Sequence, residues 1–399
     1  MSLRPIKVLH FVGCMDYGGV ETWLMHVWRQ IDRTKFQFDF CYTEPTPGAY
    51  APEIESLGGR MVACPLEKSN PIDFARRFRA LLREGRFDIV HSHVHHFSGF
   101  VLRLAQREAV PARIAHSHST SDGKVSLPSR ILYRTLMKYW IRKHATHGLA
   151  ASATAAAALF GPDWESDPRF RVVHCGIDLE PFRQNVSRAE VRSEFGIPED
   201  APVVGHVGRF MPPKNHAFLL EIAAEAIKRR PEVYFLLVGD GPLRPEMQAK
   251  ARELGIEKNV IFTGVRADVP RLMLGAMDLF VFPSLWEGLG IVLVEAQAAG
   301  LRCVVSDAVP SDAVIVPGMA TCLPFNRGVV PWVEIVLGHL DKPTRSPLAA
   351  LQAVAATDFE IERSTRRLLS LYDLGTGLGE ATEAANPTGV REDGGKVGS

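Results

Sequence analysis

The 399-residue sequence has no long apolar run free of charge and no leader-like start. That argues against membrane spans and secretion, so a cytoplasmic protein is expected. No C-x-x-C pair occurs: Cys14, Cys41, Cys64, Cys175, Cys303 and Cys322 are scattered among mostly apolar neighbours. This spacing excludes a disulfide framework and suits buried thiols in a reducing compartment, with no chemistry assigned to them. No G-x-G-x-x-G follows the first predicted strand with an acid about twenty residues on, which disfavours a dinucleotide-dependent dehydrogenase. There is no convincing D-x-D metal motif, and with a net charge of only +1 no nucleic-acid partner is expected.

The chain is long for a single core, so two domains with a cleft between them are the default. Apolar residues at 46% and charged residues at 23% are the ordinary globular balance, enough to bury two cores. The near-zero charge conceals an asymmetry. Residues 1–150 carry 21 basic and 13 acidic side chains, and the remainder 25 and 32. The first half is therefore suited to an anionic partner, a phosphate-bearing substrate or a membrane surface.

Short β-rich runs alternate with helical stretches, the signature of βαβ units with helices on both faces of a parallel sheet. One series of strands is predicted near residues 6–13, 36–43, 60–65, 88–94, 113–117, 148–152 and 171–173. A second lies near 203–208, 234–239, 260–263, 279–283 and 302–306. "GIDLEPF" from Gly176 to Phe182 reads as the linker, and "ASATAAAALF" as a helix capped by Ser152 or Thr154. The expected organisation is an N-terminal domain over 1–178 and a C-terminal domain over 179–356. A helix at about 357–374 is placed to pack back on the first domain, and the polar stretch 375–399 is expected to be disordered.

In "GRFMPPKN" a strand ends at Gly208, and Arg209 and Lys214 flank a proline-fixed turn into a helix. Two cations and a helix N-terminus beyond a strand end make an anion site fit for a diphosphate. A basic turn in solvent is the alternative reading. In "PSLWEGLGIVLVEA" seven residues separate Glu287 from Glu295, with Gly288, Leu289, Gly290 and Ile291 forming the turn into a helix. The glycines admit a ligand close to backbone N–H groups, and a carboxylate two turns on can accept bonds from vicinal hydroxyls. Paired carboxylates would also suit hydrolysis or a metal. Gly18 and Gly19, in "MDYGGVE", are weaker: a close approach to ligand, or a plain turn. His91, His93 and His95 alternate along the fourth strand, as His116 and His118 do on the fifth, each set sharing one face. A zinc site is conceivable there, but no acidic or cysteine partner follows at ligand spacing, and no metal is expected.

Together, in this order, the two motifs resemble the retaining glycosyltransferases of GT-B fold, group 1 or family 4, with their G-x-x-R-x-x-x-x-K-N and E-x7-E patterns. Arg209 departs by directly following Gly208. The resemblance spans about residues 8–375 and includes "GGVE", "VHCGIDLEPF", "LVGDGPLRPEM", "VIFTGVRADVPRLM" and "DLFVFPS". It implies two Rossmann-like domains facing across a cleft and transfer from a UDP- or GDP-sugar, with no cofactor. On this likeness Arg209 and Lys214 neutralise the donor diphosphate without a metal, and Glu295 holds the ribose. Glu287 with Gly288, Leu289 and Gly290 holds the sugar, Val265 and Arg266 border the base, and His118 stands near the reacting bond.

"VHSHVHHFSGF" and "ARIAHSHSTS" look like the branch that builds exopolysaccharide on polyprenyl carriers. Arg130, Arg134, Lys138 and Arg142 recur every four residues beside Tyr133, Tyr139 and Trp140, and Arg76, Arg77, Arg79, Arg83 and Arg86 add positive charge. Such a helix suits an anionic membrane or a lipid diphosphate acceptor, or simply a solvated face over a packed one. The alternatives to transfer are a nucleotide-sugar epimerase, a phosphorylase of the same architecture, or a sensor that binds without turnover.

Overall fold

The computed structural model describes residues 4–66, 70–121, 123, 127–342 and 346–376, with only the backbone at 374–376. Of the segment expected to be a disordered tail, residues 377–399 lie outside the described residues.

The first sheet contains β1 (Ile6–Val12), β2 (Phe36–Tyr42), β3 (Arg60–Ala63), β4 (Ile89–Ser92), β5 (Ala112–Ser117), β6 (His147–Ala150) and β7 (Phe170–Val172). All pair in parallel, in the order β3-β2-β1-β4-β5-β6-β7. The second contains β8 (Val203–Val207), β9 (Tyr234–Val238), β10 (Val260–Gly264), β11 (Leu279–Phe282), β12 (Arg302–Ser306) and β13 (Ala320–Leu323). Its order is β10-β9-β8-β11-β12-β13, again parallel. Helices cover both faces, so the central strands are buried along nearly their whole length, as in β4 and β11. The fold is GT-B. Strand β13 was not foreseen; its four residues are mostly part-exposed and carry no apolar run.

In each sheet the order reverses once, between β1 and β4 and between β8 and β11. Parallel sheets open a crevice for ligands beyond the strand ends at such a reversal. The segments leaving β1, β8 and β11 there are "GCMDYGG", "GRFMPPKN" and "PSLWEGLG".

The chain crosses between the two bodies twice, side by side. Ile177 N–H donates to Phe359 O at 2.8 Å, and Ile361 N–H donates to Ile177 O at 3.1 Å. The terminal helix Ile361–Thr376 then lies on the first sheet. There Trp23 Nε1 donates to Ser364 Oγ at 3.0 Å, and Tyr372 Oη meets His91 Nδ1 at 2.6 Å. Leu368, Leu371 and Tyr372 are buried. At roughly 1.5–3 kcal/mol for each such side chain, their burial holds the helix in place.

Candidate active site

The turn after β8 is built to present cations. Gly208 is closely packed: a Cβ there would lie 3.1 Å from Lys214 Cγ and 3.2 Å from His206 Nε2, so a side chain would crowd the lysine. Pro212–Lys214 form one short 3-10 turn, and Asn215 at φ 53° reverses the chain into the helix His216–Arg229. Asn is among the few residues that adopt this left-handed conformation readily. Arg209 is exposed and makes no hydrogen bond or ion pair among the described residues. Lys214 is held. Its Nζ lies 2.5 Å from Glu287 Oε1 and 4.7 Å from the centre of the Phe282 ring.

Two helices begin at the crevice without a side-chain cap, Gly19–Gln30 after Gly18 and Ile291–Ala298 after Gly290. Gly290 has φ +82°, which explains glycine there. The two starts are neighbours, since a Cβ on Gly19 would stand 3.0 Å from Ile291 Cγ2. Uncapped N–H groups from both halves, with Arg209 and Lys214, therefore surround one space, and their partial positive charges add.

Two carboxyls within it are perturbed. Burial pushes Glu295 up to about 7, and the described residues give it no hydrogen-bond or ion-pair partner. Burial also pushes Glu21 up to about 7, with Arg209 pulling in the opposite direction. Glu21 was quoted in the glycine motif without being given a role. Its position in the first helical turn, two residues past the glycine pair, was the available signal.

The halves touch at the turn after β11. Thr120 Oγ1 donates to Glu287 O at 3.1 Å, and Ser152 Oγ donates to Gly288 O. A Cβ on Gly288 would be 1.9 Å from His118 O, so glycine is required by approach of the other half. Ser152 also caps the helix Ala153–Phe160 by accepting from Ala155 N–H at 3.1 Å. Thr120 and Ser152 were not singled out for this contact, because nothing local in sequence marks a partner more than 130 residues away.

The expected histidine face is altered in one respect. Strand β4 ends at Ser92, and His95, at φ +50°, turns aside to His96 and Ser119 O. His91, His93, His116 and His118 do gather, joined by His10 of β1, which the sequence reading left out. His118 lines the crevice beside Gly288 while both its nitrogens face protein. Nε2 lies 2.9 Å from His93 Nδ1, and Nδ1 lies 3.8 Å from Cys175 Sγ. Burial lowers His118 to about 3, so it is neutral at physiological pH. Of the cysteines expected to be buried, Cys322 is exposed and Cys14 partly so.

Two models of known families match this chain: Glycosyltransferase Family 4 over residues 17–181 and Glycosyl transferases group 1 over 187–322. "Putative glycosyltransferase EpsF" of Bacillus subtilis (strain 168) is 36% identical over 381 residues, 94% of this chain and 98% of that one. The chain belongs to the group 1, family 4 glycosyltransferases. An Escherichia coli UDP-Gal:alpha-D-GlcNAc-diphosphoundecaprenol alpha-1,3-galactosyltransferase is 31% identical over 57% of this chain and 59% of its own. Among solved structures, Anabaena Alr3699/HepE in complex with UDP and glucose superposes with a TM-score of 0.76 at 19% identity, covering 92% of this chain and 99% of that one. This last likeness is one of fold.

Elsewhere on the glycosyltransferase the other expected residues are placed as follows. Val265 is exposed, and Arg266 is engaged by Asp268 at 2.8 Å and Glu194 at 2.7 Å, so its charge is already compensated. The first arginine segment is compensated only in part: Arg76 and Arg77 share Asp73, and Arg79 and Arg83 share Glu108, so two carboxylates face four guanidinium groups. On the helix Pro128–His144, Arg142 pairs with Asp163 at 2.7 Å and leaves the basic stripe. Arg130 lies 4.5 Å from the Tyr133 ring, and Arg134 and Lys138 complete the row. The apolar residues of this helix do not all pack inward. Met137 and Ile141 do, whereas Ile131, Leu132, Leu136 and Tyr139 are exposed, Leu132 at 71%. Among the described residues no helix is long and apolar enough to cross a membrane.

Proposed function

We propose that this glycosyltransferase transfers a sugar, with retention, from a UDP- or GDP-sugar to a glycan on a polyprenyl carrier at the inner face of the membrane, in cell-surface polysaccharide synthesis. The observation that carries this reading is the convergence of two uncapped helix starts, at Gly19 and Ile291, with Arg209 and Lys214 around one space. Such a space suits a diphosphate and needs no bound metal or cofactor to neutralise it. HepE, of the same fold, binds UDP and glucose, and the Escherichia coli relative uses a UDP-sugar with a diphosphoundecaprenol acceptor.

In this mechanism the donor diphosphate draws Lys214 away from Glu287 and takes up Arg209. Glu295 accepts from the ribose hydroxyls, Glu287 and the Gly288–Gly290 backbone receive the sugar, and Val265 borders the base. The bond from the anomeric carbon to the diphosphate oxygen breaks as the acceptor oxygen attacks from the same face. The acceptor proton passes to the departing phosphate oxygen, so no side-chain nucleophile is required, and His118 acts as a wall of the sugar site. The exposed Ile131, Leu132, Leu136 and Tyr139 beside Arg130, Arg134 and Lys138 support contact with an anionic membrane that presents the acceptor.

The test is transfer from each nucleotide sugar to a polyprenyl-diphosphate-linked sugar and to free sugars, with the product's anomeric configuration read by NMR. Retention on the lipid-linked acceptor is expected. Transfer only to a soluble acceptor would remove the lipid assignment, and an inverted product would remove the same-face mechanism.

A further inference from the structure

Five imidazoles meet at the C-terminal ends of β1, β4 and β5, more than the sugar chemistry uses. They form two strings. In one, His10 Nδ1 lies 3.1 Å from His93 Nε2, and His93 Nδ1 lies 2.9 Å from His118 Nε2, whose Nδ1 faces Cys175 Sγ at 3.8 Å. In the other, Tyr372 Oη lies 2.6 Å from His91 Nδ1, and His91 Nε2 lies 3.1 Å from His116 Nδ1. One nitrogen from each of His93, His116 and His118 lies within 4.8 Å of the other two, and the same holds for His10, His91 and His93.

Two features favour the first trio. Each of its members has its other nitrogen occupied by an outer partner: His93 Nε2 by His10, His116 Nδ1 by His91, and His118 Nδ1 by Cys175. Metal-bound histidines are ordinarily fixed in this way, because the outer hydrogen bond selects the tautomer that leaves a lone pair facing the ion. His116 Nε2 is buried with no hydrogen-bond partner among the described residues, as is His10 Nε2 of the other trio, although the His116 ring also interacts with the Val173 backbone. In the second trio His91 spends both nitrogens, on Tyr372 and His116.

We propose that His93 Nδ1, His116 Nε2 and His118 Nε2 form a site for one divalent transition-metal ion such as Zn²⁺. Three imidazoles with an open fourth position are a known zinc ligand set. A tetrahedral ion with bonds of about 2.05 Å wants its nitrogens about 3.3 Å apart, near the present 2.9 Å between His93 Nδ1 and His118 Nε2, and the His116 ring, whose centre lies 3.9 Å from that of His118, must turn to complete the trio. With the ion bound, every ring N–H points outward, to His10, His91 and Cys175. No proton leaves the site; the one shared between His93 and His118 shifts to an outer nitrogen by tautomerisation. His93 and His118 are partly exposed and His116 is buried, so the ion enters from the crevice. There it would tie the ends of β4 and β5 together and pin His118 against the sugar site. The site rests on the histidines alone and is independent of the donor reading.

Chelator-treated full-length chain titrated with Co²⁺ should develop the visible bands of a tetrahedral site, saturate at one equivalent, and lose them to one equivalent of Zn²⁺. His93→Ala or His116→Ala should weaken binding at least about 100-fold, His10→Phe about 10- to 100-fold as an outer partner, and His147→Ala not at all. Absence of tetrahedral bands at one equivalent of Co²⁺ would overturn the proposal, as would unchanged binding in a His116→Ala variant shown by circular dichroism to be folded. Should the alanine variants fail to fold, X-ray absorption on the wild-type Co²⁺ form decides: three imidazoles support the site, and fewer overturn it.

Discussion

Replacing Glu295 by Gln should make the protein more stable and a poorer binder of its donor. The carboxyl lies partly buried with no hydrogen-bond or ion-pair partner among the described residues, and its pKa rises from 4.5 to about 7. The folded chain therefore binds a proton more tightly than the unfolded chain does. Between about pH 4.5 and 7 this makes stability fall as pH rises, and above 7 the loss is complete. The shift corresponds to about 3 kcal/mol at most. Glu295→Gln has no charge to bury, so at pH 8 it should recover up to that amount, or about 6–12 °C in the melting of the domain that holds it. At pH 5 the two proteins should melt nearly together. Ribose hydroxyls donate to a carboxylate more strongly than to an amide, so the same change should cost about 2–3 kcal/mol of donor affinity, roughly 30- to 150-fold in Kd. Thermal melts at pH 5 and pH 8, with calorimetric titration of UDP and GDP, measure both. A variant that melts lower at pH 8, or that binds nucleotide as well as wild type, would refute the reasoning.

Arg209→Ala should lower nucleoside diphosphate affinity about tenfold or more without moving the melting temperature, because the guanidinium is exposed and makes no hydrogen bond or ion pair among the described residues; calorimetry checks this. Gly288→Ala places a methyl 1.9 Å from His118 O, so the halves should part, with a larger radius of gyration by small-angle scattering and turnover lost while each half stays folded. Arg192 is fully buried and donates to Glu199 O, Ala201 O, Ala276 O and Asp278, so Arg192→Leu should cost about 3–5 kcal/mol in urea unfolding. Leu132→Glu with Ile131→Glu should reduce sedimentation with anionic vesicles severalfold while leaving nucleotide binding unchanged.

Twelve of the thirteen strands were legible, because a parallel sheet covered on both faces writes itself as short apolar runs between helical stretches. The turns after β8 and β11 were legible for a related reason: glycine, proline and paired charges at a strand end have few other uses. The partners those charges take could not be read. Lys214 meets Glu287 across 73 positions, and the arginines of residues 76–83 share Asp73 and the distant Glu108, so part of the charge of a segment that reads as strongly basic is compensated. His10 escaped notice because it stands alone on β1, and only the sheet order brings that strand beside β4. Side-chain alternation correctly grouped His91 with His93 but failed at His95, where the strand had already ended.

The most direct test incubates UDP-, GDP- and ADP-sugars with wild type and with an Arg209→Ala, Lys214→Ala double variant, with and without a polyprenyl-diphosphate-linked acceptor, and measures nucleoside diphosphate release. Acceptor-dependent release from one UDP- or GDP-sugar, abolished in the double variant, is the expected result. Donor binding without release under any acceptor, or equal release from the double variant, would contradict transfer at this site.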